Sequence, residues 1–71
     1  MEQEVEAALS KLPEEFRDAL LLVDVEELSY QEISGVLNIP IGTVKSRVSR
    51  GRSMLREALM GYAKERGIIR S

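Results

Sequence analysis

Between Ser29 and Arg56 the chain reads SYQEISGVLNIPIGTVKSRVSRGRSMLR, and no other stretch limits the fold so tightly. Ser29 followed by Glu32 is a capping box, in which a hydroxyl and a carboxylate satisfy free backbone N–H groups reciprocally, so a helix starts at Tyr30. Ile33, Val36 and Leu37 give that helix a side expected to be buried. Asn38 tolerates the left-handed conformation that ends a helix, and Pro40 cannot continue the old one. A long helix then begins near Ile41 and runs to about Ala63, roughly 33 Å at 1.5 Å per residue. Its apolar positions are Ile41, Val44, Val48, Gly51, Leu55, Ala58 or Leu59, and Tyr62, spaced by threes and fours. A capped helix, a tight turn and a long helix over residues 29–63 outline a helix-turn-helix.

Upstream, Glu2 to Ser10 reads as a first helix with Val5, Ala8 and Leu9 on one face. Lys11-Leu12-Pro13 breaks it, and Pro13 suits the first position of the next helix. Glu14, Glu15 and Asp18 complement the positive end of that helix, which runs to about Val25 with Phe16, Ala19, Leu20 and Val23 at core spacing. No strand-like alternation of useful length occurs. The expectation is an all-α fold: a small bundle of about four helices, one domain over residues 1–71, with Arg66 to Ser71 as a frayed tail.

Composition closes off other chemistries. With 71 residues and neither cysteine nor histidine, the chain has no disulfide and none of the usual zinc sites. The core must come from Leu, Ile, Val, Ala and a single Phe. Aromatics at 4% are too few for a base-stacking platform. There is no imidazole, thiol or Gly-rich phosphate loop, which leaves a paired-carboxylate site as the one enzymatic option; no catalytic residue, cofactor or metal is expected. No apolar run approaches a membrane span and no signal-peptide pattern opens the chain, so the expected location is cytoplasmic.

Charge is divided along the chain. Residues 1–37 carry ten acidic side chains against Lys11 and Arg17, a net of −8, whereas residues 38–71 carry eight basic ones against Glu57 and Glu65, a net of +6. On a wheel of about 100° per residue the core stripe of the long helix centres on Val44, Val48, Gly51 and Leu55. The opposite face holds Gly42, Ser46, Ser49 and Ser53, flanked by Lys45 and Arg52 on one edge and Thr43 and Arg50 on the other. Small residues at the centre of such a face let the backbone sink into a DNA groove, and long cations at its edges reach bases or phosphates. The bland alternative is a solvated helix surface. Arg47 lies nearer the core edge, where the expected role is a brace to Glu32. Gly51 reads as a close helix packing point, at a propensity cost of about 1 kcal/mol against Ala. Ser29 and Tyr30 open the preceding helix, whose free N–H groups suit a phosphate, although Ser29 is equally a pure N-cap.

Leu12-Pro-Glu-Glu-Phe-Arg17, Leu28-Ser-Tyr-Gln-Glu-Ile33, Ile39-Pro-Ile-Gly-Thr-Val-Lys-Ser-Arg47, and Arg50-Gly-Arg52 with Leu55-Arg56 resemble region 4 of bacterial RNA polymerase sigma factors. The similarity is greatest to the extracytoplasmic-function group and covers about residues 9 to 60. It implies binding to the promoter −35 element in the major groove of double-stranded DNA, docking on the β flap of the polymerase core, and control by an anti-sigma factor. Matched position by position, Lys45, Ser46, Ser49 and Arg50 become the base and groove readers. Thr43 and Arg52 become phosphate contacts, beside Ser29 and Tyr30, which only the free N–H groups at the start of the preceding helix point to. Ser49 stands where many relatives carry a bulkier residue, Gly51 and Ser34 where Ala is more usual, and Asn38 where Gly is common. No part resembles region 2, so the favoured reading is an excised C-terminal domain beginning at an added Met1, over a stand-alone relative.

The helix from Pro13 to Val25 is apolar on more than one side, with Leu21, Leu22 and Val25 away from its core stripe. Either Val5, Leu9, Met54 and Ile68 cover these residues, or they form a surface for the polymerase or an anti-sigma helix. Two other functions fit the pattern less fully: a LuxR-like or transposase-type regulator, and a protein-interaction module whose basic face meets an acidic partner. No heptad seam demands a dimer, so a monomer is expected.

Overall fold

The computed structural model describes residues 2–65, with side chains described from residue 3 to residue 61. They form four helices, α1 (Glu2–Ser10), α2 (Glu14–Asp24), α3 (Tyr30–Leu37) and α4 (Ile41–Glu65), with no strand among them. The expected tail over residues 66–71 and the Tyr62 and Ile68 side chains lie outside the described residues.

Both prolines act one position earlier than a first-turn proline would. Pro13 is the N-cap of α2, with φ −55° and ψ 146°, and its carbonyl accepts from the Phe16 and Arg17 N–H groups, both at 3.1 Å. The helix therefore starts at Glu14, because the ring fixes φ but leaves ψ free to be extended. Pro40 opens α4 in the same way, accepting from Thr43 at 2.9 Å and Val44 at 3.1 Å.

The turn between α3 and α4 is closed from three directions. Asn38 takes φ 55° and ψ 50°, and its N–H donates to the Ser34 carbonyl. The Ile39 N–H donates to that same carbonyl at 3.2 Å. The Ser34 hydroxyl donates back to the Ile39 carbonyl. This clamp was not legible beforehand, since Ser34 reads as a small residue on a helix. At the end of α2, Glu27 is left-handed with φ 58°, a conformation that favours Gly or Asn.

Ala8, Leu12, Ala19, Leu20, Ile33, Val44 and Val48 are buried; all but Ala8 form one cluster, with Leu9, Phe16, Leu22, Val23, Leu28, Tyr30, Leu37, Ile39, Met54 and Leu55 packed around it. Leu12, a breaker residue by sequence, is thus a core residue. Two expected core positions are not: Val36 is 62% exposed and Ile41 is 45% exposed. Ile41 is the first residue of α4, and Val36 lines a groove between α2 and α3 that no other helix fills among the described residues.

α4 packs against each of the other helices, most extensively against α2. A Cβ on Gly51 would stand 3.1–3.2 Å from Leu20 Cγ and Cδ1 and 3.2 Å from the Phe16 carbonyl oxygen. Side chain and backbone of α2 both lie against α4 here, so only a residue without a side chain fits without adjustment. Gly51→Ala gains about 1 kcal/mol of helix propensity and loses a similar amount to crowding, so its thermal midpoint should stay near that of the parent. Gly51→Leu should lose about 3 kcal/mol in a denaturant titration.

Candidate nucleic-acid interface

With Val44, Val48 and Gly51 turned into the core, Gly42, Lys45, Ser46, Ser49, Arg50 and Ser53 are all exposed on the far side of α4. The small residues run down the middle and the cations stand at the sides. Neither Lys45 nor Arg50 has an ion-pair partner among the described residues, so both charges are available to a ligand. Thr43, one edge residue, is half-buried in the first turn of α4. Arg56 is exposed on the same edge as Lys45 and Arg52, an extension of the stripe that its spacing of four from Arg52 already signalled.

Two arginines are engaged. Arg52 donates through Nη2 to Asp24 Oδ1 at 3.1 Å. Arg47 pairs with Glu15, Nη2 to Oε2 at 3.9 Å, rather than with Glu32. The expected Glu32 brace fails because that carboxylate is committed locally: Oε1 accepts from the Ser29 N–H at 2.9 Å, while the Ser29 hydroxyl accepts from the Glu32 N–H at 3.1 Å. Arg47 therefore joins α4 to α2 instead of to α3. Ser29 is an N-cap in full, and Tyr30 is half-buried with its ring against the core, which leaves the start of α3 less open to a phosphate than its sequence implied.

On a second surface, Asp18, Leu21, Leu22, Glu26, Val36 and Leu37 line an open groove of about 340 Å³ between α2 and α3. Leu9 and Met54 pack on the core cluster, as does Leu22 in part, but Leu21 is not drawn into it. Val25, expected on this surface, is 67% exposed and lies outside the groove lining.

Residues 2–55 match the family described as Sigma-70, region 4. The chain belongs to the sigma-70 region 4 family. Region 4 is the part of a sigma factor that binds the −35 promoter element, and it is not an enzyme. The chain is similar to the ECF RNA polymerase sigma factor SigE of Mycolicibacterium smegmatis, 48% identical over 62 residues that cover 87% of this chain and 24% of that protein. It is also similar to the ECF RNA polymerase sigma factor SigW of Bacillus subtilis, 46% identical over 55 residues, covering 78% of this chain and 29% of that protein. The RNA polymerase sigma-H factor of Pseudomonas aeruginosa is 40% identical over 65 residues, 92% of this chain and 34% of that protein. The chain thus spans about a quarter to a third of the length of the curated relatives it matches. Among the described residues of this region 4 domain, no helix is long and apolar enough to cross a membrane, and no group of acidic side chains is placed to hold a metal ion.

The capping box of the region 4 domain should be visible in its response to acid. The Ser29 backbone N–H, and secondly the Ser29 side chain, hold the Glu32 carboxyl below its ordinary value. A depressed carboxyl stabilises the fold above its unfolded pKa of about 4.3, and that stabilisation is lost as pH falls through the lower folded value. Glu32→Gln should be less stable than the parent at neutral pH, and the gap should close below the folded pKa, as followed by helical circular dichroism in urea at a series of pH values.

Proposed function

We propose that this domain reads the −35 element with α4 in the major groove, as part of a sigma factor that directs RNA polymerase to initiate transcription. One observation carries the reading: the exposed face of α4 is small at its centre and cationic at its edges, on a helix whose opposite side is locked into the core. Ser46 and Ser49 would let the backbone approach and hydrogen-bond to base edges. Lys45 and Arg50, unpaired on opposite edges, would reach guanine acceptors. Thr43 and Arg52 would meet phosphates as the helix leaves the groove, with Ser29 and Tyr30 at the start of α3 as weaker contributors. The domain would bind as a monomer.

The groove between α2 and α3 supports the second half of the reading. Exposed Val36 with Leu21, Leu22 and Leu37 offers an apolar seat, and Asp18 and Glu26 at its rim suit a basic-flanked segment. Its occupant, on this reading, is the β flap of the polymerase core, and an anti-sigma factor would act by covering the same seat.

Selection from a randomised duplex pool at low salt should enrich one short, non-palindromic motif. A palindrome, or no enrichment, would overturn monomeric −35 reading. Lys45→Ala and Arg50→Ala should each cost about 1–3 kcal/mol on that motif and relax one position of it, measured by fluorescence anisotropy. Val36→Asp should abolish binding to polymerase core in a pull-down while leaving the DNA affinity of the isolated domain unchanged; retention of core binding would remove the groove from the mechanism.

A further inference from the structure

Lys45, Arg52 and Arg56 follow one another at seven and then four residues, which keeps them within about 40° on one edge of α4. Lys45 and Arg56 have no ion-pair partner among the described residues, whereas Arg52 donates to Asp24 at 3.1 Å. The position of that aspartate is unusual. Asp24 is the last residue of α2, where a carboxylate faces the negative end of the helix dipole, and α2 has no basic residue in its last turn to offset it. Glu26 and Glu27 follow after Val25, both exposed, so the acid at 24 is disfavoured by its own neighbours as well. Local helix energetics therefore give no reason for Asp24, and the cation that compensates it lies 28 residues away on α4.

An aspartate oxygen accepting from a guanidinium N–H offers Arg52 the same chemistry as a phosphate oxygen: an anionic acceptor in a charge-assisted hydrogen bond. Both side chains are about half exposed, 50% for Arg52 and 52% for Asp24, so water and salt screen the pair and an incoming anion can displace it. We propose that Asp24 sets the affinity of the DNA interface, its carboxylate holding Arg52 in the free protein as a stand-in for a DNA phosphate that binding must exchange. The inference rests on the reading of α4 as the DNA-binding helix. Exchange has two consequences. The Arg52 contact contributes only the difference between phosphate and carboxylate, and the released Asp24 is left uncompensated beside Glu26 and Glu27. Both weaken binding to every sequence alike, which leaves discrimination to Lys45, Ser46, Ser49 and Arg50.

The test is a double-mutant cycle on DNA affinity. Parent, Asp24→Asn, Arg52→Ala and the double variant are titrated by anisotropy against the enriched duplex and a scrambled one, over a series of salt concentrations. Glu26→Gln serves as control, since it removes the same charge near the same helix end without touching Arg52, and thermal melts check that each variant is folded. Asp24→Asn should tighten binding to both duplexes about five-fold at low salt, and this gain should shrink as rising salt screens the Arg52–Asp24 pair in the free parent. In the Arg52→Ala background the gain should shrink to that of Glu26→Gln, below about two-fold. Equal tightening in both backgrounds would reduce Asp24 to bulk charge and overturn the proposal, and unchanged or weakened binding by Asp24→Asn would overturn it too. Failure of the DNA reading looks different: Lys45→Ala and Arg50→Ala would leave affinity for both duplexes untouched, and the inference would fall with that reading.

Discussion

The contact between α2 and α4 at Gly51 governs the rest of the molecule. At that point the Phe16 carbonyl and the Leu20 side chain stand where a Cβ would be, so the two helices meet nearly backbone to side chain. Because Gly51 must point at α2, the remaining azimuths of α4 are settled by helix geometry. Ser49 and Ser53, two residues to either side, lie about 200° round from it and face away from the core. Val44 and Val48 lie within about 60° of it, on the inner side, and are buried beside Ile33 of α3. A single packing constraint thus aims the small, polar face of α4 outward.

Two ion pairs straddle this contact. Glu15, in the first turn of α2, meets Arg47, and Asp24, its last residue, meets Arg52, so the ends of α2 are tied to opposite edges of the α4 core stripe. Each pair is partly exposed and stabilises by roughly 0–1 kcal/mol, far less than the buried apolar cluster. Their effect is on orientation: they oppose rotation of α2 about the Gly51 contact, which apolar packing alone resists weakly. The division of charge along the chain is therefore also a structural device, since acids of the first half hold the helix that carries the cations.

What could be read from the sequence was what is encoded within a few residues. The Ser29–Glu32 box, the left-handed Asn38 and the start of α4 after Pro40 all depend on neighbours no more than four positions away, and all are as expected. The outward face of α4 was legible too, because periodicity alone separates it from the core stripe. Partners across the fold were not. Periodicity says that Arg47 lies at a core edge but not which helix lies beside it, and Glu15 is 32 positions away. Val36 failed for a related reason. Its place on the apolar side of α3 is plain, but whether anything covers that side depends on how α2 and α3 are spaced, and there they leave a groove. Of the face residues, exposure could be foreseen; that Arg52 is already held by Asp24 could not.

The two surfaces are chemically opposed. The groove is apolar with an acidic rim and is built from α2 and α3, while the face of α4 is basic and polar. A chain with a net charge of −2 gains little from bulk attraction to DNA, and the ten acids of its first half repel the phosphate backbone. On the proposed reading, affinity for the promoter then comes from a few short-range contacts of α4, which by themselves hold weakly. Docking through the groove changes the problem from binding to positioning: once the domain is tethered, its concentration near the DNA is set by the tether, and weak contacts suffice. Weak intrinsic affinity is useful in that arrangement, because a domain that bound DNA tightly alone would occupy −35 sites without the polymerase needed to use them.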